Sequence, residues 1–501
     1  MKKSIYSNIK YFAILTGTFL SVSCADFLEE RNESNYTQEN YFQTPEHAEA
    51  AINHLYSALR FVSNGAGTYG ESPFMSLEFP TGLLNTEVGQ SQFNNTLRNL
   101  TTNSENNYFN VWWEQSYRAI ANANLAIDRI PNILMNETTQ QNLIAEAHFM
   151  RAFHYFNLVR LFGDIPLITV PVDADSDLLY PSRSPIADIY DLIVSDLQFA
   201  EESSIPASTT NGRVSQGAIK ATLAQVYLTM AGFPLQAGDN YYALAAQKAK
   251  EVIDQNTYRL FDTYDELHDP NIQLSGEIIF KNQYLIGLAT SGMTAWLLPR
   301  SRNISQFSDE FGVMYPTAAF INTHEEGDAR VAERGFYYTS YPNINNPAQE
   351  VSFGAHYIYK YFDEEAVLNT AQSDLGFTFI RYADVLLTFA EAEFEANGTT
   401  SDALEAINAI RNRANLAPFD ASSLTREAIW KERFHELAFE NKTWFDMIRR
   451  RQVLNLATGD FEDFVGHRFS YGPTLSEKYL LFAIPQREID NNNQLTQNPG
   501  W

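Results

Sequence analysis

Two stretches of the chain gather the residue types that hold a polyhydroxylated ligand. Residues 86–99 (TEVGQSQFNNTLRN) supply Gln90, Gln92, Phe93, Asn94, Asn95 and Arg98; residues 291–303 (SGMTAWLLPRSRN) supply Trp296, Arg300 and Arg302. A sugar ring has an apolar C–H face that stacks on a flat aromatic ring. Its hydroxyls pair with amides, guanidiniums and carboxylates. Trp296 and the Phe93, Asn94, Asn95 group are the first candidates for such a platform, with Gln92, Arg98 and Arg300 as polar partners. The competing reading packs Trp296 between lobes and lets the asparagines cap turns. Trp112 and Trp113 are adjacent and point in different directions on a helix, so one reads as core and the other as partly exposed. Trp112 is kept as a further candidate.

Other clusters read as structural. Glu391, Glu393 and Glu395 alternate on a predicted helix, where positions two apart do not face each other. His435-Glu436 matches part of a zinc-protease helix, but position 439 is Phe rather than a second His, so no metal ligand is assigned. Glu432, Arg433, Glu436 and Glu440, with Arg449 and Arg450, read as ion pairs between packed helices. Trp430 and Trp444 lie on a helical stripe and are expected in the core. No Ser-His-Asp set or phosphate loop stands out. Glycoside hydrolysis would need paired carboxylates that only the fold can bring together. No catalytic residue and no cofactor are expected; a structural calcium ion stays open.

The elements that must position these residues are mostly helices. Phe379, Tyr382, Ala383, Leu386, Leu387, Ala390 and Phe394 recur at three- and four-residue steps and predict a first helix closed by Gly398. Ser401 is the expected cap of a second, and Thr425 of a third that runs through Trp444 to Ile448. Thr44-Pro45 starts another helix. Further helices are expected from about Tyr108 to Pro131 and over 141–162, 188–201, 215–231 and 241–255. Residues 63–106, with Tyr69, Phe74 and Phe79, lose helical period, and 277–369 carry short β-like runs between loops. Paired helices that cannot bury both faces alone ask for neighbours of the same kind, as in tetratricopeptide-like arrays. The fold class is therefore mainly α: a frame of helical pairs bearing loop-rich insertions, where binding usually sits.

The chain has 501 residues and a formal charge of −26, which disfavours nucleic acid, polyanionic glycans and anionic membrane surfaces as partners. Lys2, Lys3 and Lys10 precede an apolar run from Tyr11 to Val22, too short to span a bilayer, and then Cys24, the single cysteine. Residues 1–23 read as an export leader and Cys24 as a lipidation site, although Leu20 stands four residues before it rather than three. Acyl chains on Cys24 would anchor the protein to a membrane. Residues 24–43 read as an acidic tether.

CADFLEE (24–30), FHYFNLVRLFGDIPLI (153–168), FIRYADVLLTFAEAEFEANG (379–398), ERFHELAFENKTWFDMIRR (432–450) and LFAIPQREIDNNNQLTQNPGW (481–501) resemble the SusD/RagB family of Bacteroidetes outer-membrane lipoproteins. The likeness covers nearly the whole mature chain. It divides the chain into an N-terminal region, 44–269, and a C-terminal region, 270–501. It implies about four tetratricopeptide-like pairs and a non-enzymatic protein, lipid-anchored on the outer face of the outer membrane. Such a protein captures oligosaccharide and delivers it to a SusC-like TonB-dependent transporter. Family ligand sites vary, so the resemblance carries no site residue over. The charge leans toward a neutral glycan such as a β-glucan or fructan. The rival reading is a helical-pair scaffold serving peptide uptake.

Overall fold

The computed structural model describes residues 41–65, 71–173, 175–267, 269, 272 and 276–501. The leader, Cys24, the acidic stretch through Asn40 and Tyr69 lie outside them. Ten helices of eight or more residues are found among the described residues: α1 Pro45–Ala58, α2 Asn107–Arg129, α3 Glu137–Phe162, α4 Ile186–Glu201, α5 Gln216–Ala231, α6 Asp239–Asp254, α7 Tyr382–Asn397, α8 Ser401–Arg413, α9 Arg426–Glu436 and α10 Thr443–Arg450. Their starts are set by local chemistry. Thr44, Asn106, Asn136, Ser215, Thr400 and Thr425 each accept a hydrogen bond from a backbone N–H in the first turn that follows. The cap of α8 is thus Thr400, one residue before the Ser401 expected.

The helices form an array in which neighbours in sequence are neighbours in space. α2 packs on α3, α3 on α4, α5 on α6, and α7 on α8. Beyond its first turn α3 is buried on nearly every side, which suits a central helix. The array also continues from α6 directly onto α7. The whole segment 255–381 therefore leaves the frame after one helix and returns at the next. It carries most of the β-structure: β2 Ile278–Lys281 pairs with β6 Thr378–Arg381, and β4 Tyr337–Asn343 with β5 Asn346–Ile358, both antiparallel. β1 Leu84–Asn85 pairs with β3 Tyr315–Pro316, and β7 Gln452–Leu454 with β8 Phe461–Asp463.

Two sequence expectations are corrected. Phe379 belongs to β6 rather than to α7, which begins at Tyr382. The helix expected from Thr425 to Ile448 is broken over 437–442, where Phe439 and Asn441 take left-handed conformations. Long-range cations stabilise the break: Lys360 Nζ donates to the carbonyls of Glu436 and Ala438, and Arg381 Nη2 to that of Glu436. These are the orphan acceptors of a helix C-terminus, and positive charge is favourable there.

The break lies beside a fully buried ionic cluster. The Glu436 carboxylate meets Arg381 at 2.8 Å, Arg413 at 2.6 Å and Arg330 at 3.4 Å. A second cluster joins Glu391 to Arg449 and Arg450, and Asp446 to Arg433 and Arg449. The structural reading of these charges holds. Trp444 is core, but Trp430 is only half-buried; its indole donates to Glu391 and Arg450 lies over its ring at 4.8 Å.

Candidate functional site

Residues 86–99 are less loop-like than their composition suggests. Ser91 caps a two-turn helix, Gln92–Arg98, by accepting from the Asn94 N–H. The turn directs Asn94 inward, where it is fully buried and accepts from the Tyr108 hydroxyl at 2.6 Å. Asn95 donates to the carbonyls of Ser91 and Val88, and half-buried Phe93 packs edge-on against Tyr108. Asn94 and Asn95 therefore have structural work, while Gln92 is exposed. Trp112 is 2% exposed and donates its indole N–H to Ser76. Trp296 is 7% exposed and its ring packs over Gly292 and Gly65. Neither tryptophan offers an open face, so the packing alternative describes both better than the platform does.

Arg98, Arg300 and Arg302 are brought together differently. Arg98, at the end of the short helix, donates to the Asn85 side chain at 2.8 Å, and its guanidinium lies 4.1 Å from the centre of the Tyr471 ring. The Tyr471 hydroxyl donates to the Arg98 carbonyl, and Phe469 stacks behind Tyr471 at 5.5 Å. Asn85 is registered against Tyr315 in the β1–β3 ladder. Tyr315 stacks on Tyr357, with ring centroids 4.8 Å apart and planes at 21°. The outcome is a strip of half-buried Tyr471, Arg98, Asn85 and Tyr315, backed by buried Tyr357.

Glu87 closes one end of this strip. It accepts from the Arg300 backbone N–H at 2.7 Å and from Arg302 Nη2 at 3.4 Å, and its backbone carbonyl accepts from Arg300 Nη1. Gly312 stands against this carboxylate at φ +62°, where a Cβ would come within 2.2 Å of it, so glycine is required. The loop carrying both arginines is held from within. Glu310 accepts the backbone N–H groups of Arg302, Asn303, Ile304 and Ser305, so one carboxylate fills a nest of four donors. Phe307, half exposed, projects from the same loop.

Burial raises the Tyr315 phenol above its ordinary value, with Glu87 adding to the effect and Arg98 and Arg302 opposing it. Burial likewise pushes Tyr471 up to about 12. Both hydroxyls stay protonated at neutral pH; the Tyr471 O–H is committed to the Arg98 carbonyl, which leaves the Tyr315 O–H as the one that can donate to a ligand oxygen. The arrangement offers the outer face of Tyr315, the Tyr471 edge, guanidiniums and an amide along one strip, which is chemistry for holding a ring with hydroxyls. Tyr315, Tyr357 and Tyr471 were not singled out from sequence. Tyr357 lies in one of the short β-like runs of 277–369; nothing local announces that position 471 meets position 98.

One set of metal-capable groups exists among the described residues: His324, Asp328 and His435 place donor atoms within 4.8 Å of one another. The geometry is poor for a cation. The imidazoles are stacked 4.0 Å apart at 25°, so their in-plane lone pairs do not converge. The Asp328 carboxylate is taken by the buried Arg330 guanidinium at 2.8 Å, and His435 Nε2 is paired with Thr323.

Comparison with known proteins agrees with this architecture. Residues 202–501 match the model described as "SusD family", and residues 26–228 match one described as "Starch-binding associating with outer membrane". The chain is 28% identical to SusD-like protein P2 of Formosa agariphila over 96% of this chain and 97% of that one. It is 25% identical to the starch-binding protein SusD of Bacteroides thetaiotaomicron over 76% of each. The crystal structure of a SusD superfamily protein from Parabacteroides distasonis superimposes with a TM-score of 0.88 at 38% identity, covering 93% of this chain and all of that one. The chain belongs to the SusD family.

Proposed function

We propose that the protein is a non-enzymatic, outer-membrane glycan-binding protein that captures oligosaccharide on the strip from Tyr471 to Tyr315. The observation that carries this reading is the convergence of two accessible tyrosines, Arg98 and Asn85 on a preformed surface. Similarity to the starch-binding protein SusD and to a family described as starch-binding and associated with the outer membrane supports both ligand class and location. The net charge of −26 favours a neutral glycan, for which a β-glucan or fructan is the working choice. Glu87 and Glu310, the carboxylates beside the strip, have their oxygens engaged by the surrounding arginines and backbone N–H groups, which fits binding better than acid–base chemistry. Lipid attachment at Cys24 and delivery to a SusC-like TonB-dependent transporter complete the proposal.

Affinity electrophoresis through gels containing neutral and charged polysaccharides tests it. Retardation by a neutral glycan is expected, with Tyr315→Ala weakening binding about tenfold, the size of one lost stacking contact. Retention only by an anionic glycan would remove the neutral assignment. Retardation by a glycan that survives both Tyr315→Ala and Arg98→Ala would move the site. Failure with every glycan, and binding of peptides instead, would return the peptide-uptake reading.

A further inference from the structure

One cavity of the helical frame is chemically unlike the rest of this acidic molecule. It has a volume of about 610 Å³ and lies where the end of α3 and the start of α4 meet the loop after α5, α10 and the C-terminal tail. Its surface is mainly apolar, with Ile186, Tyr190, Phe233, Phe445, Leu480 and Leu481 contributing most of the hydrocarbon. Small-molecule sites fall in this size range and share this make-up, an apolar lining with a few placed polar groups. The chain holds 61 acidic and 35 basic residues, yet Arg160, Arg183, Arg449, Arg451 and Lys478 line the cavity against only Asp164 and Glu477.

Arg449 is neutralised by Glu391 and Asp446. The other four make no ion pair with a carboxylate among the described residues; their partners are neutral. Arg160 donates to the Phe156 carbonyl and to Asn157, with its guanidinium between the Phe156 and Phe445 rings, 3.7 Å from each centre. Arg183 donates to the carbonyls of Phe162, Asp164 and Thr496 and to the Asn498 side chain. Lys478 donates to the Thr102 carbonyl and lies over the Trp501 ring. Arg451 lies over Phe233 at 5.2 Å, and its buried Nη1 has no partner. Burial holds all four below their ordinary values, Arg160 at about 10. Asp164 acts on Arg183, Glu477 on Arg451, and Asp384 and Asp446 on Arg160, but none of them closes an ion pair, so these cations are only partly compensated, and an anion entering the apolar space would complete the compensation.

We propose that this cavity binds a small amphipathic anion, an apolar ring or short chain bearing one carboxylate- or phosphate-type head, with the head on Arg451 and the body against Tyr190 and Phe445. Arg451 lines the cavity, and a small rotation of its guanidinium would bring the unpartnered, buried Nη1 to the cavity surface, where it can take such a head in paired hydrogen bonds. A neutral sugar would leave the cations unanswered, and an uncharged hydrocarbon would leave Nη1 unpaired. The site is separate from the tyrosine strip and does not depend on its glycan.

Titration of the purified protein with 1-anilinonaphthalene-8-sulfonate, followed by fluorescence, tests the proposal. One saturable site is expected, displaced by decanoate but not by decanol or decyltrimethylammonium. Decyl phosphate and 2-naphthoate as further competitors distinguish head type and chain from ring. Arg451→Gln should weaken the probe about tenfold, the cost of one charge-assisted hydrogen bond. Ile186→Trp, which fills the cavity from its rim, should abolish binding, with the thermal midpoint checked for each variant. Absence of a saturable site, equal displacement by decanol and decanoate, or a probe indifferent to both substitutions would each overturn the proposal.

Discussion

Two groups of cations in this molecule, one around Glu436 and one around the cavity beside α10, are shifted in opposite directions. Around Glu436, burial opposes the charge on Arg381, but Glu440, Glu436 and Glu277 outweigh it and hold the guanidinium well above its usual value. Arg330 is held up in the same way by Glu432, Asp328 and Glu436. Around the cavity beside α10, Asp446 and Asp384 act on Arg160 and Glu477 on Arg451 only from beyond ion-pair distance, and burial prevails. For Arg160 the difference is how near the carboxylates come; Arg451 is also less deeply buried. A buried charge with its counter-charge in place is part of the frame. One without is poised for something that arrives from outside.

The largest test of that contrast is Glu436→Gln. It strips a shared counter-charge from Arg330, Arg381 and Arg413 and should cost about 3–5 kcal/mol in urea unfolding. Arg451→Gln should change stability by less than about 0.5 kcal/mol, because it removes a cation that gains little from the fold. Equal losses would erase the distinction. Trp296→Ala comes next. A ring buried against Gly65 and Gly292 should cost about 3 kcal/mol or more in stability, whereas Tyr315→Ala should leave the thermal midpoint nearly unchanged and act on ligand binding.

Acid titration reads the paired cluster directly. Burial opposes the Glu391 charge, but Arg449 and Arg450 reverse this and hold its carboxyl at about 2; Asp446 and Glu436 are also lowered. A carboxyl depressed in the folded state contributes stability that is fully present above its unfolded value, about 4.5, and is lost as pH falls toward the folded one. Glu391 alone contributes on the order of 3 kcal/mol. Urea midpoints should therefore be flat with respect to this cluster above about pH 5 and fall steeply below pH 4.5. A midpoint unchanged down to pH 3 would contradict the pairing. The smallest effect belongs to Lys250→Ala. Its pair with Asp254 is largely exposed, so the change should stay within about 0.5 kcal/mol.

The sequence showed the frame far better than the platform. Period and caps located α1 to α8 to within a few residues, because those signals are local. The break between α9 and α10 was not legible: it depends on Lys360 and Arg381, which arrive from the insertion to satisfy carbonyls at 436 and 438. At the site, tryptophans in loop-rich sequence drew attention for their size, and size is also what the core selects. Arg98 and Arg300, which border the proposed strip, were candidates from the sequence. Tyr315 and Tyr471 were not, since a tyrosine becomes a platform only through the partner packed behind or beside it.

The Arg98 and Tyr471 contact joins residues 373 positions apart. Contacts at such separation close late, because the intervening chain must be ordered first. Synthesis runs from the N-terminus, so Tyr471, which completes the proposed strip, emerges only after all ten helices of the frame. A chain cut short or clipped before position 471 would carry the residues of every one of those helices but lack Tyr471, one end of the proposed strip, together with the buried Phe482 and Ile484 of the tail. On the proposed reading of the strip, competence there reports that the polypeptide is whole, without any separate inspection.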